Sequence, residues 1–294
     1  MANVTLSQGS NSFADDAYQP PRRSPLRWVV LFILTLLLLL TLFPFFLAVI
    51  NAIKTAADYA VGGPLSLPSS IDFGSLQKFW NVSDFSRKLV NSAIISITVA
   101  VFGVLISLFN AYAIGIGRIK GSRIFLVIFL LGIMVPQESI VYPLYYMAKA
   151  TGLYDTQLAV IIIFAVIQSA FGTYLLSSVL RSFPKEIIEA AEMDGANRWQ
   201  VLWQVVVPVL RPSLMVVGTF FFIWTWNEFL IPLVMLVSNN NQTVAVAMGL
   251  TRGQNMSDPT FSAAASMLGI APTLLFFLVF QRTLTRGVVV GAVK

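Results

Sequence analysis

The chain has 294 residues, of which 57% are hydrophobic and 11% charged, and its mean hydropathy is +0.80. A soluble domain carries about a quarter charged residues, so this sequence has too few charges to cover a soluble fold. Cysteine and histidine are absent, which excludes disulfides, thiolate metal sites and histidine-based catalysis, and no metal site is predicted. The net charge of +6 does not indicate a nucleic-acid partner, because the basic residues flank apolar runs, as membrane topology requires.

Residues 1–25 are polar and rich in Ser, Asn, Asp and Pro, which predicts a disordered cytoplasmic tail. The apolar run that follows is too long for a cleaved signal peptide and is predicted to be the first span. Six apolar stretches are long enough to cross a bilayer as helices, so residues 26–294 are predicted to form an all-α, six-span membrane domain. The predicted spans are about 28–53, 91–116, 124–148 (broken by Pro136 and Pro143), 158–180, 209–237 and 263–280.

The basic residues give the predicted orientation. With the N-terminus in the cytoplasm, thirteen Lys and Arg residues fall on the inner side and six on the outer side. Inner loops of membrane proteins carry the excess of positive charge. Both termini are therefore predicted to be cytoplasmic, with lipid around the spans.

The inner loop between the fourth and fifth spans, about 184–207, carries signals of folded structure. Gly195 suits a left-handed helix C-cap, and Asn197 suits the N-cap of a second helix. The loop is predicted to form two short amphipathic helices at an angle, with Pro208 and Pro212 marking the entry to the fifth span. An acidic row on the first helix consists of Glu186, Glu189 and Glu192.

This loop has two interpretations. One is an amphipathic helix that lies on the lipid surface. The other is a docking element for a cytoplasmic protein, since helices that bind anionic lipid usually carry Lys and Arg, whereas the acidic row offers charged hydrogen-bond acceptors. The acidic face favours a protein partner.

Three segments resemble a known family. EAAEMDGANRWQVLWQVVVPVLRP, residues 189–212, is similar to the EAA coupling motif of ATP-binding-cassette (ABC) importer permeases. WNEFLIPL in the fifth span and the C-terminal QRTLTRGVVVGAVK resemble the carbohydrate-uptake subgroup, in particular the maltose-transporter-type second permease subunit. The resemblance covers the chain after its N-terminal tail.

The resemblance implies a type I importer permease in the inner membrane of a bacterium or archaeon. It implies a second permease subunit in a heterodimer, or a homodimer, two ATPase subunits that hold ATP and Mg, and an external solute-binding protein that delivers a sugar or similar solute. No GxxxxGK[ST] phosphate loop occurs in the sequence, so this chain is expected to bind no cofactor and to be no enzyme. The residues implied to contact the ATPase subunits are Glu189, Ala190, Ala191, Gly195, Ala196, Trp199 and Pro208 in the loop and Arg286, Gly291 and Lys294 in the C-terminal tail.

Glu138 and Glu228 are the only acidic residues inside the predicted spans, where an ionisable group is costly and marks a candidate functional site. One interpretation is a polar lining of the solute path, with tryptophans stacking on sugar faces. The other is a structural hydrogen bond at a span end, or a pair with the partner permease. The candidate path residues are Asn227, Glu228, Trp224, Trp226, Gln137 and Glu138, whereas Gln168, Asn110 and Ser169 are expected to bridge helices.

Two other functions remain as alternatives. An ion-gradient-driven secondary transporter could use Glu138 and Glu228 as ion sites, but it predicts inverted repeats, which the sequence does not show. An integral-membrane enzyme would need clustered Asp, Glu or His near a membrane face, and the sequence has no such cluster. Neither alternative explains the acidic inner loop.

Overall fold

The structure is a computed structural model that describes residues 25–117, 119–254 and 258–292. Regular structure in these ranges is helical throughout, which confirms the predicted all-α fold. The predicted N-terminal tail lies outside the described residues up to residue 24. The helices are α1 Pro25–Ala52, α2 Ala56–Gly62, α3 Gly74–Val82, α4 Phe85–Gly115, α5 Ser122–Met134, α6 Gln137–Ala150, α7 Gln157–Arg181, α8 Lys185–Met193, α9 Arg198–Asn227, α10 Leu230–Met235, α11 Val244–Gln254 and α12 Pro259–Ala292.

The third predicted span is not a straight helix. Within the described ranges five helices are long and apolar enough to cross a membrane, and α5 with α6 makes a sixth apolar segment, bent by 95°. Pro136 explains the bend, because proline disfavours helical geometry in the residue before it, and Val135 is extended with ψ 122°. Pro143, predicted as a second break, lies inside α6 and does not interrupt it.

The fifth predicted span differs at both ends. No separate short helix follows Asn197, because α9 begins at Arg198 and runs on without interruption. A π-helical stretch at Val201–Val206 precedes Pro208, and the Val207 amide donates to the carbonyl five residues back. This wider turn makes room for a proline ring that would otherwise clash with the preceding turn.

At its other end α9 stops at Asn227, ten residues before the predicted boundary at residue 237. Glu228 is extended with ψ 131°, and the short helix α10 begins at Leu230. Pro232 accounts for the break, since a proline ring clashes with the carbonyl four residues before it. Here that carbonyl belongs to Glu228.

The chain divides into two compact units between Phe46 and Leu47. The first unit contains most of α1. Its side chains from Leu26 to Phe46 are all exposed, and residues 28–46 carry no charge. Such a helix is suited to a lipid environment.

The second unit is built around α4, α7 and α9, which pack against one another. Phe221 of α9 lies between two glycines: a Cβ added to Gly172 would lie 2.2 Å from the Ser107 hydroxyl and 2.8 Å from the Phe221 ring, and one added to Gly103 would lie 2.8 Å from the same ring. Small residues let membrane helices approach this closely. The glycines therefore fix the spacing of the three central helices.

Polar side chains also join the central helices. The Gln168 amide nitrogen donates to the Thr225 hydroxyl at 3.0 Å, and the Asn110 amide donates to the Thr173 hydroxyl at 3.3 Å, so both predicted bridges are confirmed. The Ser169 hydroxyl instead donates within its own helix. That residue joins the helices through its backbone carbonyl, which accepts a hydrogen bond from a serine of α4.

Candidate functional site

A cavity of about 600 Å³ lies where the two helix breaks meet. Residues on both sides of the α5–α6 break and residues at the α9–α10 break line it together, and α6 packs against α10. Irregular backbone at membrane depth is tolerated where it is buried in protein or lines a cavity. Besides aliphatic residues and a glycine, the wall consists of Gln137, Glu138, Gln168, Phe171, Trp224, Asn227 and Glu228.

Five of the six predicted path residues thus line one cavity, and Trp226 does not. Its side chain is 9% exposed, belongs to an apolar cluster on another face of α9 and stacks on Phe222 with ring centroids 5.6 Å apart. Residues two positions apart on a helix point in different directions. Trp224 and Trp226 therefore cannot face the same cavity.

Both cavity carboxylates have local structural partners. Glu138 lies in the first turn of α6, where a negative charge interacts favourably with the helix dipole. A Glu228 carboxylate oxygen accepts from the Leu230 amide at 3.2 Å and so caps the start of α10. The structural interpretation therefore holds for Glu228, while both side chains also line the cavity. The described ranges contain no cluster of three or more acidic, histidine or cysteine side chains suited to a metal ion.

The α7 side of the cavity contains residues that the sequence did not identify as path residues. Phe171 lies edge-on to Trp224 with ring centroids 4.9 Å apart, and its only signal in the sequence is its position one helical turn after Gln168. Gln168 itself is 5% exposed. Its nitrogen makes the bridge to Thr225, while its Oε1 has no hydrogen-bond partner among the described residues.

The inner-loop residues form a closed turn between α8 and α9. Gly195 has φ 84°, its amide donates to the Glu192 carbonyl at 3.0 Å, and the next amide, of Ala196, donates to the Ala191 carbonyl at 3.0 Å. This pair of bonds is the Schellman C-cap. The predicted left-handed cap at Gly195 is confirmed.

The start of α9 is capped in turn. The Asn197 side-chain oxygen accepts from the amides of Trp199 and Gln200, both at 3.0 Å, and the Gln200 side chain accepts from the Asn197 amide at 2.8 Å. This reciprocal capping box confirms the cap predicted at Asn197. The two caps engage the four residues between α8 and α9, 194–197, in hydrogen bonds that fix the turn.

The predicted ATPase-contacting residues of the loop divide into two groups. Ala191 and Ala196 pack against the apolar cluster shared by α4, α7 and α9. Glu189, Ala190, Gly195, Trp199 and Pro208 are exposed, and the Trp199 ring lies 6.0 Å from that of Phe109.

A hollow of about 260 Å³ lies between α8 and the ends of α4 and α7. Glu189 and Glu192 line it, together with Arg181 and Lys185. In the C-terminal tail, Arg286 and Gly291 belong to α12, and Lys294 lies outside the described residues.

The sequence and the fold both match known transport proteins. The pattern of the family described as "Binding-protein-dependent transport system inner membrane component" matches residues 103–290. The trehalose transport system permease protein SugB of Mycobacterium tuberculosis is 32% identical over 230 residues, which are 78% of this chain and 84% of that protein. The diacetylchitobiose uptake system permease protein DasC of Streptomyces coelicolor is 30% identical over 254 residues, covering 86% and 91%.

A solved structure has the same fold. The crystal structure of a bacterial ABC transporter involved in the import of the acidic polysaccharide alginate contains a chain that superposes with a TM-score of 0.76 at 24% identity. The match covers 87% of this chain and 95% of the other. At this identity the likeness establishes the fold and leaves the solute open.

Proposed function

The chain belongs to the family of binding-protein-dependent transport system inner membrane components, and on that premise we propose that it is a permease subunit of an ABC importer for a sugar. The two relatives described above are permeases for trehalose and for diacetylchitobiose. In this chain the observation that carries the proposal is the cavity at the two helix breaks, which combines aromatic rings with amide and carboxylate groups.

The cavity has the properties of a sugar-binding surface. Its volume falls in the range of small-molecule sites, about 300–1,000 Å³. Trp224 and Phe171 offer ring surfaces for the apolar faces of a sugar, and the side chains of Gln137, Asn227 and Glu138 offer hydrogen-bonding groups for its hydroxyls. We assign the solute path of this subunit to the cavity.

Helix α9 supplies a mechanical connection between the α8 turn and the cavity. It is 30 residues long, about 45 Å at 1.5 Å per residue. It begins at the Asn197 cap and ends beside the cavity, with Trp224 and Asn227 in its last turns. A displacement of α8 is therefore passed through the capped turn to the cavity wall, which supports the role of the α8–α9 turn as the element that contacts an ATPase.

The remaining parts of the machine lie on other chains in this proposal. Two ATPase subunits hold ATP and Mg, a second permease completes the path, and an external binding protein delivers the solute. The family description, which names a binding-protein-dependent system, supports the last of these partners. The chain lies in the inner membrane of a bacterium or archaeon, with both termini and α8 in the cytoplasm, as the Lys and Arg bias favours.

Transport follows from two states of this assembly. ATP binding closes the ATPase subunits, draws the α8 turns together and opens the cavity to the docked binding protein, and hydrolysis reverses the change. ATP shifts the equilibrium only as far as the ATPases contact the two states differently. Since α8 packs through Ile188 and Ala191 on the central cluster, its position is tied to that of the central helices.

Glu189 tests the coupling role. We expect Glu189→Lys to abolish the ATP hydrolysis that the loaded binding protein stimulates in liposomes containing the complete transporter. Glu189 is one of the residues implied to contact the ATPase, and it lines the hollow beside α8, where the substitution reverses its charge. Glu186→Lys makes the same charge change on the same helix outside the hollow and should retain stimulation. Normal stimulation in Glu189→Lys would contradict the coupling role, and sugar uptake driven by an ion gradient without ATP would support a secondary transporter instead.

A further inference from the structure

The cavity carries negative charge and no positive charge among the residues that line it. Its two ionisable side chains are Glu138 and Glu228, and none of the described lining residues is Lys or Arg. The ion pairs in the described part of the chain, Lys78–Asp258 and Arg87–Asp84, involve neither carboxylate. Among the described residues, no basic side chain forms an ion pair with either acidic group.

Two of the three side-chain amide nitrogens in the wall are already engaged in hydrogen bonds within the protein. The side-chain nitrogen of Asn227 is already engaged with the Ile223 carbonyl at 2.7 Å, and that of Gln168 with Thr225. Gln168 Oε1, in a side chain 95% buried, is unpaired among the described residues. A buried carbonyl without a donor is costly, so this atom points to a ligand that brings an O–H or N–H group.

We propose that Glu138 and Glu228 make the cavity a charge filter that accepts uncharged and amine-bearing sugars and excludes sugars with carboxylate or phosphate groups. The inference rests on the proposed function, since it assigns the solute path to this cavity. An anionic sugar would bring a like charge close to two carboxylates that have no ion-pair partner in the described structure, whereas hydroxyl and ammonium groups donate to them.

The fold alone does not set this preference. The structurally similar transporter is described as importing an acidic polysaccharide, so the same helix arrangement also serves an anionic cargo. Within this subunit, the charge preference that we propose is set by the side chains that line the cavity. Glu138 and Glu228 are the ones that carry charge.

The filter is tested on the complete permease–ATPase complex in lipid nanodiscs, without the binding protein, which would add a selectivity of its own. Saturation-transfer NMR would measure the affinities of three β-1,4-linked disaccharides: neutral N,N′-diacetylchitobiose, its amine form chitobiose at a pH where the amines are protonated, and cellobiouronic acid. We expect the acid to bind about tenfold or more weakly than the neutral sugar.

Replacing both carboxylates, Glu138→Gln with Glu228→Gln, should strengthen binding of the acid about tenfold, weaken binding of chitobiose and leave the neutral sugar nearly unchanged. Glutamine keeps the oxygen that caps Leu230. The matched control, Glu186→Gln with Asp194→Asn, removes two exposed charges from the α8 region and should change none of the affinities. Trp224→Ala should weaken all three sugars if they occupy this cavity.

The charge filter would be overturned if the wild type bound the acid and the neutral sugar with equal affinity. It would also be overturned if the double variant left the ratio of these two affinities unchanged. Either result would leave the solute path in place. Binding of the neutral sugar that Trp224→Ala does not weaken would overturn the assignment of the path to this cavity, and the filter with it. The two failures are therefore distinguishable.

Discussion

The α8–α9 turn and the cavity lie at opposite ends of one helix, and they are built in opposite ways. At the turn, both helix ends are closed by caps, through Gly195 and Asn197, and α8 packs on the central cluster. At the cavity, two helices are interrupted, at Val135 and at Glu228, and Gln168 Oε1 is left without a partner in the described structure. One region is rigid and the other is open.

This difference matches the two tasks that a coupled transporter must perform. An element pushed by another protein must move as a body, because a flexible turn would absorb the displacement. A solute path must instead offer unpaired polar groups and backbone that can change conformation. Interrupted helices supply both. The uninterrupted α9 connects the two regions.

The largest effect is expected from breaking the rigid turn with Gly195→Pro. Proline fixes φ near −65° and cannot adopt the φ of 84° that Gly195 has, and the hydrogen bond to Glu192 is lost. Binding-protein-stimulated ATP hydrolysis should be abolished while the protein still inserts into the membrane. Gly152→Pro is the matched control, because Gly152 has φ 71° in the loop before α7. Equal loss of coupling in both variants would show that the α8 turn has no special role.

A smaller effect is expected from Gly172→Val, which alters the packing that joins the two regions. The added Cβ would lie within 3 Å of Ser107 and Phe221, and overpacking of this kind costs about 1–3 kcal/mol. The melting temperature of the purified chain in detergent should fall. Gly132→Val adds the same side chain on α5, where a Cβ meets no atom within 4 Å. Its melting temperature should stay close to that of the wild type.

The sequence predicted the rigid region well because local rules decide it. A glycine at a helix C-terminus and an asparagine at the next N-terminus act on neighbouring backbone groups, and both caps are present. The length of α9 was not predictable in the same way. Pro208 in the sequence indicates a helix boundary, and only the π-helical stretch before it lets the helix continue.

The cavity was predictable in part. Pro136 indicated the first break, and Pro232 carried a signal for the second that the prediction overlooked. The two carboxylates inside the predicted spans, Glu138 and Glu228, indicated polar residues of the wall. Whether Phe171 and Trp226 face the cavity depends on how each helix is rotated about its axis in the packed bundle. A helix that is apolar on all sides gives no sequence signal for this rotation.

The smallest effect is expected from loosening the end of α10, the short helix that follows the second break. Asp155, in the loop before α7, accepts hydrogen bonds from the amide and hydroxyl of Ser238, and its own amide donates to the Met235 carbonyl at 3.0 Å. These bonds hold the end of α10, the helix that follows the break. Asp155→Asn keeps the left-handed backbone at φ 62°, which asparagine tolerates. It should lower stability by about 1 kcal/mol and speed amide exchange in residues 236–242.

The effect of Asp155→Asn should also depend on pH. Burial by itself raises the pKa of Asp155, but the hydrogen bonds from Ser238 and Asn241 outweigh it and hold the pKa below its usual value. A carboxyl whose folded pKa is lowered contributes its stability above the unfolded pKa, about 3.9, and loses it as the pH falls through the folded value. The difference in melting temperature between wild type and Asp155→Asn should therefore be constant at neutral and weakly acidic pH and shrink below about pH 4. A difference that persists at lower pH would show that the carboxylate charge of Asp155 does not hold α10, in contrast to the hydrogen-bonded caps that hold the α8 turn.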